Sequence, residues 1–255
     1  MSIFQAAILG IVQGLTEILP VSSSGHLILV PSILGWQPHS LSFDAALHLG
    51  TAFALLLFFA KDWISLFAER RWRTIGAVAL ASVPVGLIGL LGKDPIEQNF
   101  RGPVLVASAL IAVAVLMLAV EWWYRRRVEG RGNLTVGDTL AIGLAQALAL
   151  VPGVSRSGIT ILAGMGRGLA RESAARFSFM ISLPIVFAAG LWELLSVYRE
   201  GTLSSDWGVF AVGITVSFVV GLVAIRFLFG ILRRYSLVPF AVYRILLGIF
   251  LLLTL

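Results

Sequence analysis

Long apolar runs alternate with short polar segments along the chain, and four runs are uncharged and long enough to cross a bilayer as helices. These runs are 74–92, 103–120, 177–192 and 207–225. Two further runs are also predicted to span: 45–60, which is slightly short and contains His48, and 237–255, which is interrupted by Arg244. His48 is predicted to be structural because no motif supports it. The pattern predicts an all-α integral membrane protein.

Two other apolar stretches, 3–36 and 139–170, are broken in the middle by proline, glycine and serines. In the first of them, a helix over 6–19 is predicted to end at Pro20, and a second helix is predicted to begin near Ser24. Each half is too short to span a bilayer, so both stretches are predicted to be re-entrant helical hairpins. Irregular backbone at membrane depth is tolerated only where protein encloses it or where it lines a cavity.

The two broken stretches match each other when the chain is shifted by 133 positions. The residues that coincide are Gly10, Gln13, Leu15, Val21, Ser22, Ser24 and Gly25 with Gly143, Gln146, Leu148, Val154, Ser155, Ser157 and Gly158. This recurrence predicts a duplication within one membrane domain, with repeat one at about 1–130 and repeat two at about 131–255. Because a hairpin plus about three transmembrane helices crosses the membrane an odd number of times, the two repeats are predicted to have inverted topology.

Basic residues predict the orientation of the chain in the membrane. If the spans alternate, fourteen Lys and Arg residues lie in the cytoplasm and only Lys93, Arg101 and Arg199 lie outside. Both termini and the mouth of the first hairpin are then on the outer side, and the second hairpin enters from the cytoplasm. The turns of the two hairpins, 22–24 and 155–157, are predicted to meet inside the membrane.

Composition supports the membrane assignment and narrows the partners. Hydrophobic residues make up 58% of the chain and charged residues 13%, with a mean hydropathy of +0.96, which excludes an ordinary soluble domain. The net charge of +6 does not indicate nucleic acid, because the positive residues cluster between apolar runs. The absence of cysteine excludes disulfides, thiolate catalysis and cysteine-ligated metals.

Polar side chains in the two turns carry the candidate chemistry. Glu17 and His26 supply a proton acceptor and a group that titrates near neutrality, and the nearby serines offer nucleophiles or hydrogen-bond donors. Arg156 presents a planar, charged fork suited to phosphate oxygens. A helix begins after each turn, and helix N-termini attract anions. These residue types together indicate phosphoryl transfer.

Plainer roles stay open for the same residues. The serines could cap broken helices, Glu17 and Arg156 could form a structural ion pair, and His26 could be a hydrogen-bonded packing residue. For Arg244 three roles are open: it snorkels, it pairs with an acid such as Glu193, or it helps to bind substrate.

The segment QGLTEILPVSSSGH at 13–26 and the segment PGVSRSGIT at 152–160 resemble the motifs of the undecaprenyl-diphosphatase family, also called the bacitracin-resistance family. The similarity extends over essentially the whole chain and includes SLVPFAVYR at 236–244. The resemblance implies a hydrolase of the bacterial inner (plasma) membrane that removes the terminal phosphate of undecaprenyl diphosphate and so recycles the lipid carrier of peptidoglycan synthesis. It also implies inverted repeats with paired re-entrant loops.

The resemblance implies a role for each polar residue of the two motifs. Glu17 is expected to be a catalytic acid or base, with Ser23 as the candidate nucleophile. His26 is expected to be the acid/base partner of Ser23, and Arg156 is expected to clamp the phosphate. Substrate binding is expected from Gln13, Ser22, Ser24, Ser155, Ser157 and Thr160. A water molecule activated by His26 and Glu17 is the alternative nucleophile.

The chain departs from the family pattern at Gln13, where many members have Glu, so a mechanism that needs two carboxylates is in question. The resemblance also implies stimulation by a divalent cation. Because Glu17 is the only acid in either motif, a Mg²⁺ or Ca²⁺ ion would be held mainly by the diphosphate of the substrate. No firm metal site and no organic cofactor is predicted. The expected partners are the polyprenyl diphosphate and membrane lipids, and a homodimer is left open.

A transporter or flippase of an anionic polyprenyl lipid or small anion is the alternative function. Inverted repeats with broken helices are also the architecture of secondary transporters, and a fold alone does not decide function. The concentration of nucleophile, base and arginine in the turns favours the enzyme, because a carrier needs the anion clamp but not the other groups.

Overall fold

The computed structural model describes residues 1–100, 102–126, 130–199 and 207–254, and within helices it leaves aside the side chains of 93–99, 193, 194 and 196–198. The described residues form eleven α-helices and no sheet. These helices are α1 (Ile3–Ile18), α2 (Ser23–Ile33), α3 (Leu41–Phe58), α4 (Ala60–Ala68), α5 (Trp72–Asn99), α6 (Pro103–Tyr124), α7 (Val136–Leu148), α8 (Arg156–Gly166), α9 (Arg171–Arg199), α10 (Trp207–Arg234) and α11 (Val238–Thr254).

Five of the described helices are long and apolar enough to cross a membrane: α3, α5 as far as Gly92, α6, α9 as far as Trp192, and α10. The four clear apolar runs and the run at 45–60 fall on these helices, so their prediction as long apolar helices is confirmed. The last run forms α11, which has 17 residues. Outward-facing side chains such as Leu90 and Leu91, each 84% exposed, suit contact with lipid. The chain is a multi-pass membrane protein.

The two broken apolar stretches each form a pair of short helices, α1 with α2 and α7 with α8. Pro20 follows the end of α1, where its missing N–H and its ring are incompatible with a continuing helix. Gly153 lies between α7 and α8 with a φ of +95°, and a Cβ there would come within 2.5 Å of the Val106 carbonyl oxygen. A side chain at this position would therefore be strained by conformation as well as by space.

Each second helix begins after a serine with an unusual backbone conformation. Ser22 has a φ of 78° and a ψ of 98°, and Ser155 has a φ of 70° and a ψ of 109°. Such positive φ values cost about 1–3 kcal/mol for a residue with a Cβ and persist only where the surrounding structure imposes them. The chain is therefore bent in the same way before α2 and before α8.

Close helix packing holds α1 in place. It packs mainly against α10, as α7 packs against α5. A Cβ on Gly10 would come within 2.9 Å of the Val216 Cβ, and one on Gly14 within 2.7 Å of the Val220 Cβ. Lipid tails supply little hydrophobic drive between helices, so close contact of this kind provides much of the attraction. It also fixes the position of Glu17, one turn after Gly14.

Buried carboxylates away from the turns are paired with arginines near helix ends. Glu121 on α6 accepts two hydrogen bonds from Arg171 on α9, at 3.0 and 2.6 Å. Asp138 at the start of α7 accepts from Arg131 at 2.6 Å and from Arg167 at 3.2 Å. These pairs satisfy charges that would otherwise be costly to bury.

Candidate active site

The site lies between two segments that we name the first junction, residues 17–26, and the second junction, residues 150–159. The N–H of Gly153 donates to the Ser24 hydroxyl oxygen at 3.4 Å. Further contacts between the two segments, described below, involve both side chains and backbone. The prediction that the two turns meet is confirmed by these contacts.

Glu17 is the centre of the polar cluster, and only 7% of it is exposed. Its Oε1 accepts a hydrogen bond from Nη2 of Arg156. Its Oε2 accepts from the Ser23 hydroxyl at 2.6 Å and from Nε2 of Gln13 at 3.4 Å. A buried carboxylate is tolerated only with such partners. Glu17 thus connects the hydroxyl of the first junction to the arginine of the second.

His48 on α3 also reaches Glu17. Its Nδ1 donates to the Asp44 carbonyl oxygen at 2.7 Å, and its Nε2 lies 3.4 Å from Glu17 Oε2. The interpretation of His48 as a structural residue overlooked this position. The available signal was the residue type itself, because an ionisable side chain within a membrane span marks a functional position by default.

A cavity of about 200 Å³ opens beside Glu17. Six predicted site residues line it: Glu17, Ser22, Ser23, Ser24, Ser155 and Arg156. His48 and Gln146 add to the polar part of the wall, while Val85, Ile185 and Val186 supply part of its apolar side. A wall of this kind suits a charged head group attached to an apolar chain.

Three buried polar atoms around the junctions have no hydrogen-bond partner within the part of the chain that the structure describes: Gln13 Oε1, Gln146 Oε1 and Arg156 Nη1. An unsatisfied buried donor costs about 1–3 kcal/mol. Nη2 of Arg156 donates to Glu17, whereas Nη1 has no partner among the described residues. The same guanidinium can therefore also donate to an oxygen of a bound phosphate. Gln146 matches Gln13 in the internal comparison of the chain, but no local pattern predicts that it lines the cavity.

His26 is not one of the residues that line the cavity. Its Nδ1 donates to the Ser22 carbonyl oxygen at 2.6 Å, and its Nε2 lies 2.6 Å from the Tyr243 hydroxyl of α11. The resemblance implies His26 as the acid/base partner of Ser23, whereas the Ser23 hydroxyl donates to Glu17. Tyr243 was not identified from the sequence, because nothing local connects it to a residue 217 positions away.

The remaining predicted residues, Ser157 and Thr160, also lie outside the cavity lining. The Ser157 hydroxyl donates to the Leu19 carbonyl oxygen at 3.4 Å. The Thr160 hydroxyl donates to the Arg156 carbonyl oxygen at 2.7 Å and makes a further hydrogen bond with Ser178. Both side chains thus support the junctions from within the protein.

Arg244 is fully buried and binds the backbone of both junctions. Its guanidinium donates to the carbonyl oxygens of Pro20 (3.3 Å), Ala109 (3.4 Å), Leu110 (3.2 Å), Gly153 (2.8 Å) and Val154 (3.1 Å). No carboxylate pairs with it among the described side chains, and the predicted partner Glu193 lies outside them. These contacts indicate a role outside the three that the sequence left open: Arg244 supports the backbone of the two turns.

Glu17 is the carboxylate that the cavity lining offers to a divalent cation. The described residues contain no group of three or more His, Cys, Asp or Glu that could hold a metal. Both oxygens of Glu17 are already engaged by protein partners. Entry of a cation with the diphosphate of the substrate stays a prediction, and no step is derived through it.

Comparison with known proteins identifies the family of this chain. The family model described as Bacitracin resistance protein BacA matches residues 6–250. An undecaprenyl-diphosphatase from Trichlorobacter lovleyi is 43% identical over 260 residues, which cover 98% of this chain and 96% of the relative. One from Alcanivorax borkumensis is 42% identical over 260 residues (98% and 97%). Undecaprenyl-diphosphatase 2 from Stutzerimonas stutzeri is 43% identical over 266 residues (97% and 96%). The chain therefore belongs to the bacitracin resistance protein BacA family.

Proposed function

We propose that this chain is an integral membrane phosphatase that hydrolyses undecaprenyl diphosphate to undecaprenyl phosphate and phosphate. The function of its relatives, each named an undecaprenyl-diphosphatase, supports this proposal. The observation that carries it is the contact of Glu17 with both Ser23 and Arg156 at the wall of one cavity. This arrangement puts a hydroxyl, a base and an anion clamp within reach of one phosphate.

In the mechanism that we favour, Ser23 attacks the terminal phosphorus while Glu17 takes its proton. The 2.6 Å hydrogen bond already aims that proton at Glu17 Oε2. As the Oγ–P bond forms, the bond from phosphorus to the bridging oxygen breaks, and the lipid phosphate leaves with the electron pair. Arg156 would bind the phosphoryl oxygens through Nη1 and stabilise the negative charge of the transition state. Water then hydrolyses the phosphoserine.

The alternative route uses a water nucleophile, with Ser23 as a hydrogen-bond donor to a phosphoryl oxygen. A rapid quench with terminally labelled undecaprenyl diphosphate, followed by mass spectrometry of the peptide that contains Ser23, distinguishes the two routes. Label on Ser23 supports covalent catalysis. Single-turnover hydrolysis without labelled protein at any time would establish the water route.

Phosphate release by the purified protein in detergent tests the function itself. We expect turnover of undecaprenyl diphosphate, and we expect Arg156→Ala to lower it on the order of a thousandfold. Arg226→Ala, which removes an exposed arginine of α10, is the control. A folded protein that binds the lipid but releases no phosphate would overturn the enzyme proposal and favour the transporter.

We further infer that the chain consists of two repeats of inverted topology, at about 1–130 and about 131–255. Each repeat contains a re-entrant hairpin. The bounds of α2 and α8 differ by 133 positions at both ends. The capping box of α1 at Ser2 and Gln5 and that of α7 at Thr135 and Asp138 differ by the same number. The shared bend at Ser22 and Ser155 described above adds to this support.

The proposed orientation puts both termini and the opening of the site on the outer face of the bacterial inner membrane. The chain has no cysteine, so single cysteines can report on accessibility without a background. We expect Ser2→Cys to react with a membrane-impermeant maleimide in intact spheroplasts and Arg126→Cys to react only after permeabilisation. The opposite pattern would reverse the topology. Lys93, Arg101 and Leu255, which also bear on orientation, lie outside the described side chains.

A further inference from the structure

We propose that His48 is a further acid/base residue of this reaction, one that takes from Glu17 the proton released by Ser23 and passes it into the cavity. The inference rests on the proposed phosphatase function. Neither the motifs nor the sequence resemblance assigned chemistry to this residue. It is carried by the position of His48, which lies 3.4 Å from Glu17 and lines the same cavity.

The backbone fixes which nitrogen of His48 faces the acid. A carbonyl oxygen only accepts hydrogen bonds, so the 2.7 Å contact with Asp44 requires a proton on Nδ1. In the neutral ring, Nε2 then carries the lone pair, and it lies 3.4 Å from Glu17 Oε2. This is the oxygen that accepts the Ser23 hydrogen bond. The proton of Ser23 therefore arrives on the oxygen that faces an imidazole acceptor.

On the route that we propose, such an acceptor returns Glu17 to its ionised form before the second step begins. In the first step the Ser23 Oγ–H bond breaks and Glu17 becomes protonated. In the second step water attacks the phosphoserine, one water proton goes by way of Glu17 to Ser23 Oγ, and the other remains on the phosphate. Glu17 can accept that second proton only after it has lost the first. The balance of the reaction thus leaves one proton that must leave the buried site.

His48 is the neighbour of Glu17 that can carry this proton. Gln13, also 3.4 Å from Glu17 Oε2, has an amide that does not titrate, and the guanidinium of Arg156 has no acceptor atom for a proton. The His48 side chain is 30% exposed, against 7% for Glu17, and it lines the cavity. A proton on its imidazole can therefore be released to the cavity.

Few charged residues surround His48 in the described part of the chain. Glu17 from α1 faces it, Asp44 lies one turn earlier on α3, and Arg156 from α8 shares Glu17. The side chain of Asp44 is paired with His39 at 2.5 Å. The parts of α9 and α10 at 177–192 and 207–225, on the other sides of α3, contain no titratable residue.

Phosphate release from undecaprenyl diphosphate by purified variants in detergent, measured from mildly acidic to mildly alkaline pH, tests the proposal. General acid/base catalysis contributes about 10²–10⁴-fold, so we expect His48→Ala to lower kcat about a hundredfold with little change in KM. Added imidazole should restore part of this activity, increasingly at higher concentration. His48→Gln keeps a side chain of similar size but cannot take a proton, and we expect it to be as slow as His48→Ala.

The remaining controls separate the possible failures. The chain has three histidines, and His39→Gln, outside the cavity lining, should keep the activity and pH profile of the original protein. A folded His48→Ala protein with near-normal turnover or no response to imidazole would overturn the proposal, as would near-normal turnover by His48→Gln. Absence of phosphate release by the unsubstituted protein would instead overturn the proposed function.

Discussion

The two junctions bend in the same way but contribute different side chains to the site. Both pass through a serine of positive φ, Ser22 and Ser155, before a short helix. At the positions that match after a shift of 133, the first junction has Glu17, Ser23 and His26, and the second has Leu150, Arg156 and Ile159. The first thus supplies the acid and the hydroxyl, and the second supplies the positive charge.

This difference shows how two similar backbones can form one asymmetric site. After the shared bend, α2 begins at the cavity in the first junction and α8 begins there in the second. Phosphoryl transfer needs a base and a clamp on different sides of one phosphate, so identical side chains at both junctions would duplicate one function and omit the other. The comparison predicts that equivalent substitutions in the two junctions have unequal effects.

The largest difference in activity between equivalent substitutions is expected at Glu17 and its counterpart Leu150. We expect Glu17→Gln to lower kcat on the order of a thousandfold, because the amide cannot accept the Ser23 proton. Leu150→Gln puts the same side chain at the matching position of the second junction and should cost less than about tenfold. Phosphate release in detergent measures both. Similar losses in the two variants would contradict a division of roles between the junctions.

Ser23→Ala should have the next largest effect. Loss of the nucleophile removes the covalent route, and loss of a donor to the transition state alone costs about 10²–10³-fold. Ser108→Ala, which removes an exposed hydroxyl bonded to its own helix, serves as the control in the same assay. Full activity of a folded Ser23→Ala protein would remove Ser23 from the chemistry under either route.

Substitution of Arg244 tests whether the two junctions depend on a common support. In Arg244→Lys one ammonium replaces a guanidinium that binds five carbonyl oxygens. Hydrogen bonds of charged groups contribute about 1.5–3 kcal/mol each, so we expect a clear loss of thermal stability and about a tenfold loss of kcat. The exposed exchange Arg226→Lys is the matched control. An unchanged melting temperature in Arg244→Lys would exclude the supporting role.

The smallest expected effect is on the stability of α1 and α7, the helices that precede the two junctions. Hydrogen bonds from Arg131, with others from Thr135 and Arg167, hold the pKa of Asp138 well below its usual value. Ionised Asp138 therefore stabilises the fold above about pH 4, and this contribution is lost as the pH falls through the lowered pKa.

We expect the melting temperature of the unsubstituted protein to fall more steeply on acidification than that of Asp138→Asn. Gln5→Ala changes the matching, uncharged cap of α1 and should cost about 1 kcal/mol or less at every pH. Parallel acid profiles for the original protein and Asp138→Asn would show that Asp138 does not contribute in this way.

Much of the fold follows from local patterns in the sequence. Long uncharged runs became α5, α6, α9 and α10, and the proline after α1 and the glycine after α7 mark real breaks. The motif residues Glu17 and Arg156 were identified because polar groups in apolar runs need partners, and the family resemblance singled out Ser23 among the serines. His48 was predicted to be structural because no motif contains it, and its place 3.4 Å from Glu17 follows only from the packing of α3 against α1.

The sequence by itself determined that the chain is helical and membrane-embedded, where its apolar helices break, and which polar residue types the breaks carry. These properties depend on neighbouring residues, through hydropathy, helix propensity and the geometry of proline and glycine. The tertiary structure decided the partners: Glu17 with Arg156, 139 positions apart, His26 with Tyr243, and Arg244 with both turns. Contacts between distant residues depend on how whole helices pack, which no local pattern contains.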